Sequence, residues 1–108
     1  MTEKSDNTRA MPLPVAPQDD SLIRAKIFAA LSDPTRLRIV ELLAQEEEMS
    51  GTDIANKLEI SLALFCHHSK ALAEAGLIRQ RKDGQTKYNS LNCDLLNACL
   101  ESLTNKGK

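Results

Sequence analysis

The amino-acid sequence predicts a mainly α-helical domain with one small β-hairpin. Three observations carry that prediction: apolar residues recur at three- to four-residue spacing in successive segments, cap-forming residues stand where those segments begin, and Asp83-Gly84 separates two weakly alternating runs holding Ile and Tyr.

Residues 1–20 contain three of the four prolines with Ser, Asp, Asn and Thr and show little periodicity, so a disordered arm is expected there. The folded domain is expected over 21–104, with a short tail at 105–108. Ser21 precedes Leu22, Ile23, Ile27, Ala30 and Leu31, whose spacing places one apolar stripe on a first helix. Ser32 and Asp33 end that helix and start the next, where Pro34 suits the first turn because an N–H there would have no helical partner. Leu37, Val40, Leu43 and Ala44 continue as its buried stripe up to the polar Gln45–Glu48. Ser50 and Asp53 have the spacing of a capping box ahead of a short helix with Ile54, Ala55 and Leu58. After Glu59 and Ile60, Ser61 is expected to cap a longer helix from Leu62 to Ala75, closed by Gly76 in a left-handed conformation. Strands are expected over Leu77–Lys82 and Thr86–Leu91, with Asp83-Gly84 as the tight turn. The last helix, Asn92 to about Thr104, puts Cys93, Leu96, Leu100 and Leu103 on one stripe with Cys99 beside it.

At 108 residues the chain has the size of one domain, and without the arm its core is small. Apolar stripes at the ends of so small a domain favour completion by a second copy, so a homodimer is expected. No run of about 18 apolar residues is present to span a bilayer. The polar Thr2–Arg9 and the proline-broken Met11–Ala16 do not resemble a secretory signal, so a cytoplasmic protein is expected. Three cysteines at unmatched spacing, Cys66, Cys93 and Cys99, argue against a secreted disulfide framework. The net charge of −1 is unevenly spread, because Ile60–Ser90 carries +3 and the remainder −4. A basic face on an acidic body suits the steering of DNA. An enzyme is disfavoured, since no nucleophile, base and orienting group form a plausible cleft and no glycine-rich phosphate loop occurs; no cofactor is required.

In order, the expected elements are helix, helix, short helix, tight turn, longer helix, hairpin and helix. That is the order of a winged helix-turn-helix, which presents its second motif helix to a DNA major groove about 12 Å wide. On the longer helix Leu64, Phe65 and Leu72 share the inward side, and Leu62, Ala63, Cys66, His67 and Lys70 the other. Small or polar groups beside the capping Ser61 suit base edges and thymine methyls, and the helix end favours a phosphate. Arg81, Lys82 and Lys87 on the hairpin suit contacts to the sugar-phosphate backbone. The same helices would also serve a dimeric protein-interaction module, which salt dependence separates from DNA binding.

The stretch Ala30-Leu31-Ser32-Asp33-Pro34-Thr35-Arg36-Leu37-Arg38-Ile39-Val40-Glu41-Leu42-Leu43, then His67-His68, then Leu72-Ala73-Glu74-Ala75-Gly76-Leu77-Ile78, closely resembles the ArsR/SmtB family of metal- and stress-responsive repressors. The resemblance covers roughly Ile23 to Leu103. It implies a symmetric dimer joined through the first and last helices, bound to an imperfect inverted repeat of double-stranded operator DNA and released by an inducer or oxidant. By position, Leu62, Ala63, Cys66, His67 and Lys70 match the family's groove-facing residues and the hairpin matches its wing.

The family's sensing sites are only partly represented. Met49–Ala55 holds no thiol or imidazole, and the last helix holds no histidine, so Asp94 and Glu101 make a poor zinc site. Cys93 and Cys99 remain as candidate inducer, redox and metal residues. Six helical positions rise about 9 Å, too far for a bridge within one helix. Across a dimer axis with antiparallel last helices, the two thiols of different subunits come within reach, and As(III), Sb(III) or an oxidant would act there. Packing alone is the other reading, because cysteine is a common small buried hydrophobe. A regulator with another inducer, or none, would then follow. Cys66 is a thiol where relatives usually carry serine; it is either a serine-like DNA contact or an oxidation point. His67 and His68 point about 100° apart and do not chelate one ion, so His67 is read as a DNA contact and His68 as a packed, hydrogen-bonded residue. Ser69 has no reading.

Overall fold

The computed structural model describes residues 20–104; the segments where the arm and the tail are expected, 1–19 and 105–108, lie outside the described residues. The order is α1 (Asp20–Ala30), α2 (Pro34–Gln45), β1 (Met49–Ser50), α3 (Gly51–Leu58), α4 (Leu62–Glu74), β2 (Ile78–Asp83), β3 (Thr86–Leu91) and α5 (Cys93–Thr104). The first helix begins at Asp20, one residue ahead of the expected boundary.

Local chemistry accounts for the breaks. The Asp33 carboxylate accepts from the N–H groups of Thr35 and Arg36 at 2.8 and 3.1 Å, and Pro34 fills the first turn of α2. Ser50 Oγ accepts from Asp53 N–H at 3.1 Å and starts α3. Gly76, at φ +83°, closes α4 with Leu77 N–H donating to Leu72 C=O at 2.9 Å, the double-back that ends a helix through a left-handed residue. Leu77, expected to open a strand, therefore belongs to this closure, and β2 starts at Ile78. Asn92 caps α5 by accepting from Leu95 N–H at 3.3 Å.

The sheet contains the expected hairpin and adds a strand to it. Met49 and Ser50 pair with Asn89 and Tyr88, giving a three-stranded antiparallel sheet in the order β1-β3-β2. Two residues carry no alternation, so this strand has no signature in the sequence. The turn also shifts by one: Asp83 pairs with Thr86, and the connecting residues are Gly84 and Gln85. Glycine at the first central position, with φ +64°, suits a two-residue turn that matches strand twist.

The core gathers Ile27 of α1, Ile39 and Leu43 of α2, Ile54 of α3, Leu72 of α4 and Leu77, all nearly inaccessible. Two expected stripe members of α2 face solvent, Leu37 and Ala44, because the buried side is centred on Ile39, Val40 and Leu43. Leu64, expected inward on α4, is also exposed, since the inward side holds Phe65, His68, Ser69 and Leu72. Among the described residues no helix is long and apolar enough to cross a membrane.

Candidate nucleic-acid interface

The α3–α4 unit is set by three local devices. Glu59, at φ 58° and ψ 43°, turns the chain out of α3, with Ile60 N–H donating to Ala55 C=O at 3.0 Å. Ser61 then caps α4 by accepting from Leu64 N–H at 3.0 Å. Gly51 allows the helices to approach: a Cβ at that position would lie 2.8 Å from a ring carbon of Phe65. Arg38 reinforces the end of α3, its guanidinium donating to Leu58 C=O at 3.2 Å.

On α4, Ser61, Leu62, Ala63, Cys66, His67 and Lys70 are all exposed, the arrangement a groove-reading helix requires. The opposite side is anchored. Arg36 Nε donates to Nδ1 of the buried His68 at 3.1 Å, and Asp33 Oδ2 lies 3.9 Å from the same nitrogen, tying α4 to the start of α2. Desolvation raises the Asp33 carboxyl, but the N–H groups of Arg36 and Thr35 and the nearby His68 and Arg36 outweigh it and hold the group below its ordinary value. The rings of His67 and His68 meet edge-on with centroids 5.0 Å apart. Ser69, silent in the sequence, is buried and donates to Cys66 C=O at 3.2 Å, the back-bond that lets a hydroxyl sit inside a helix interface.

Beside α4 the sheet forms the other wall of a cleft of about 750 Å³, with Cys66 and Lys70 on the helix side and Gln80, Lys87 and Asn89 on the sheet side. Asn89, fully buried, bridges the sheet by donating to Met49 C=O at 3.2 Å and accepting from Gln80 Nε2 at 2.8 Å. Lys82 and Lys87 are direct cross-strand partners at the exposed hairpin end, two like charges side by side that an anion relieves. Arg81 is placed differently from the expected trio: it pairs with Glu48 through Nε at 2.8 Å and Nη2 at 2.9 Å. The hydrogen bond from Arg81 holds the Glu48 carboxyl below its ordinary value, and Glu48 raises Arg81 in turn. Sequence reasoning missed Glu48, whose only signal was its position in an acidic run before β1.

The candidate sensing residues separate. Cys93 is exposed in the first turn of α5, whereas Cys99 is buried and lines a groove between α1 and α5 with Ile23, Ile27 and Leu95. Among the described residues no three His, Cys, Asp or Glu side chains come together to hold a metal ion.

A helix-turn-helix domain family matches residues 31–81. The HTH-type transcriptional regulator YceK of Bacillus subtilis is 45% identical over 78 residues, which are 71% of this chain and 78% of that protein. The cadmium resistance regulatory protein CadC homologue of Staphylococcus aureus is 43% identical over 68 residues, 63% of this chain and 56% of that one. The transcriptional repressor SdpR of Bacillus subtilis is 37% identical over 79 residues, 73% of this chain and 87% of that one. Among solved structures, an ArsR-like transcriptional regulator from Rhodococcus sp. RHA1 superposes with a TM-score of 0.72 at 30% identity, covering 81% of each chain. The chain belongs to the ArsR/SmtB family. As an ArsR/SmtB member it is a transcriptional regulator with a DNA-binding winged helix-turn-helix, in which α3 and α4 are the motif and β2–β3 the wing. Its relatives and its fold are those of regulators, which are not enzymes.

Proposed function

We propose that this chain is a cytoplasmic homodimeric repressor that occupies an inverted-repeat operator, reading bases with Ser61, Leu62, Ala63, Cys66 and His67 and holding phosphates with Lys70, Lys82 and Lys87. The observation that carries the reading is the division of α4. One side is locked to the core by Phe65, His68 and Leu72, and the other stands open beside a cleft walled by the wing. Dimerisation through α1 and α5 is supported by four large apolar side chains left outside the protomer's core, Leu22 and Ile23 on α1 and Leu100 and Leu103 on α5. Exposed apolar surface of this kind on a small domain is ordinarily covered by another chain. The salt dependence of affinity for a promoter duplex tests the phosphate set: Lys70→Ala and Lys87→Ala each remove a contact from both subunits and should each lower the slope by about two units. Unchanged slopes would remove those lysines from the footprint.

For release we propose a thiol-reactive inducer, As(III), Sb(III) or an oxidant, acting at Cys93 and Cys99. The exposure of Cys93 and the position of Cys99 along the α1–α5 groove support this, since both thiols are on α5, the helix proposed to meet a second copy. The burial of Cys99 favours a second reading, in which the thiol only fills space. Titration of the reduced dimer on its own promoter with arsenite, antimonite, zinc, peroxide and polysulfide separates them. Release by arsenite, antimonite or an oxidant, lost in Cys93→Ser, supports sensing; no release by any of these leaves only packing.

A further inference from the structure

Strand register divides the cations of the wing between two faces. Lys82 pairs with Lys87 and Arg81 with Tyr88. Successive side chains point to opposite sides of a strand, so Arg81 and Tyr88 lie on the face turned away from Lys82 and Lys87. On that reverse face the Arg81 guanidinium is held from several directions. Its two nitrogens grip the two oxygens of Glu48 at 2.8 and 2.9 Å, its carbon lies 4.7 Å from the centre of the Tyr88 ring, and Asp83 Oδ2 is 4.0 Å away. Paired donors on a planar fork restrain orientation as well as distance. Glu48 directly precedes β1, and β1 and β2 are the two outer strands with β3 between them. The pair therefore spans the full width of the sheet, fastening the wing's outer strand to the segment that leads into α3.

We propose that Glu48 is a positioning residue for DNA binding, clasping Arg81 so that the wing stands at a fixed height beside α4, and that Arg81 acts through this clasp and not on phosphate. The proposal rests on the operator-binding reading above. It has a consequence opposite to simple electrostatics: removing a carboxylate from a DNA-binding protein ordinarily favours a polyanion, whereas removing Glu48 is expected to weaken binding.

The test uses the full chain and a duplex from its own promoter, over a salt series, with wild type, Glu48→Gln, Arg81→Gln, Arg81→Glu and the exchanged pair Glu48→Arg with Arg81→Glu. Tyr88 is the only tyrosine and the chain has no tryptophan, so its emission reports the clasp in protein free of DNA. The expected result is an altered Tyr88 emission in Glu48→Gln, affinity weakened about threefold to tenfold, and a salt slope equal to wild type in Arg81→Gln. Arg81→Glu alone should bind poorly, and the exchanged pair should return to within about threefold of wild type, because the clasp is rebuilt with its charges reversed. Tighter binding by Glu48→Gln, or a slope lowered by about two in Arg81→Gln, would overturn the proposal. So would an exchanged pair that melts like wild type yet does not bind. A wild-type chain that bound no duplex would end the operator reading and the positioning role with it, while unchanged Tyr88 emission in Glu48→Gln would reject the clasp itself.

Discussion

Glu59 is the only non-glycine among the described residues with a positive φ, and it occupies the turn that sets α4 against α3. A side chain with a Cβ is strained there, while glycine is not, although glycine gives up more freedom on folding. Glu59→Gly should therefore stabilise the fold by a few tenths to about 1 kcal/mol in urea titration, and an unstable variant would show that the glutamate makes a contact of its own. The acid behaviour of the domain also belongs to single residues. Asp33 and Glu48 both have folded values depressed from their ordinary 3.8 and 4.5. The folded chain thus binds protons less readily than the unfolded one, and the stability these groups supply is complete above those ordinary values and lost as pH falls through the lower folded ones. Urea midpoints followed from neutral pH downward should drop less steeply in Asp33→Asn and Glu48→Gln than in wild type.

At the scale of the elements, the start of α3 and α4 approach closely, because Gly51 faces the Phe65 ring where a methyl group has no room. Gly51→Ala should cost about 1–3 kcal/mol by overpacking and shift α4, weakening DNA binding more than it weakens the fold. An unaffected affinity would mean that Phe65 yields without moving the helix. The helices were legible because their ends are written in single residues: Asp33-Pro34, Ser50, Ser61 and Gly76 each cap or close in the structure as their chemistry requires. What was not legible depends on partners distant in sequence. β1 is too short to alternate and exists only through its pairing with β3. Leu37 and Leu64 fit a helical apolar stripe but lie at its margin, and periodicity does not say where a stripe's centre meets the core. The exposed side of α4 was readable from Ser61 to Lys70 for the same reason the helix was. The division of Arg81 from Lys82 and Lys87 was not, since charges along one strand reveal their faces only once the register is known.

For the whole molecule, four of the seven large apolar side chains left exposed among the described residues lie on the first and last helices, so folding and assembly should be linked. Leu100→Asp is expected to yield monomers in sedimentation velocity, with a melting temperature that no longer rises with protein concentration; a variant that still sediments as a dimer would place the interface elsewhere. The sheet carries a further consequence. Among the described residues β2 is an outer strand with no strand paired to its second edge, yet four of its six residues are charged: Arg79, Arg81, Lys82 and Asp83. Charged side chains along that rim would have to give up water on pairing, which keeps neighbouring molecules from stitching their sheets together. Arg79→Val with Lys82→Val would turn the rim into an adhesive one, and light scattering at rising concentration should register filament-like growth where the wild-type solution stays clear.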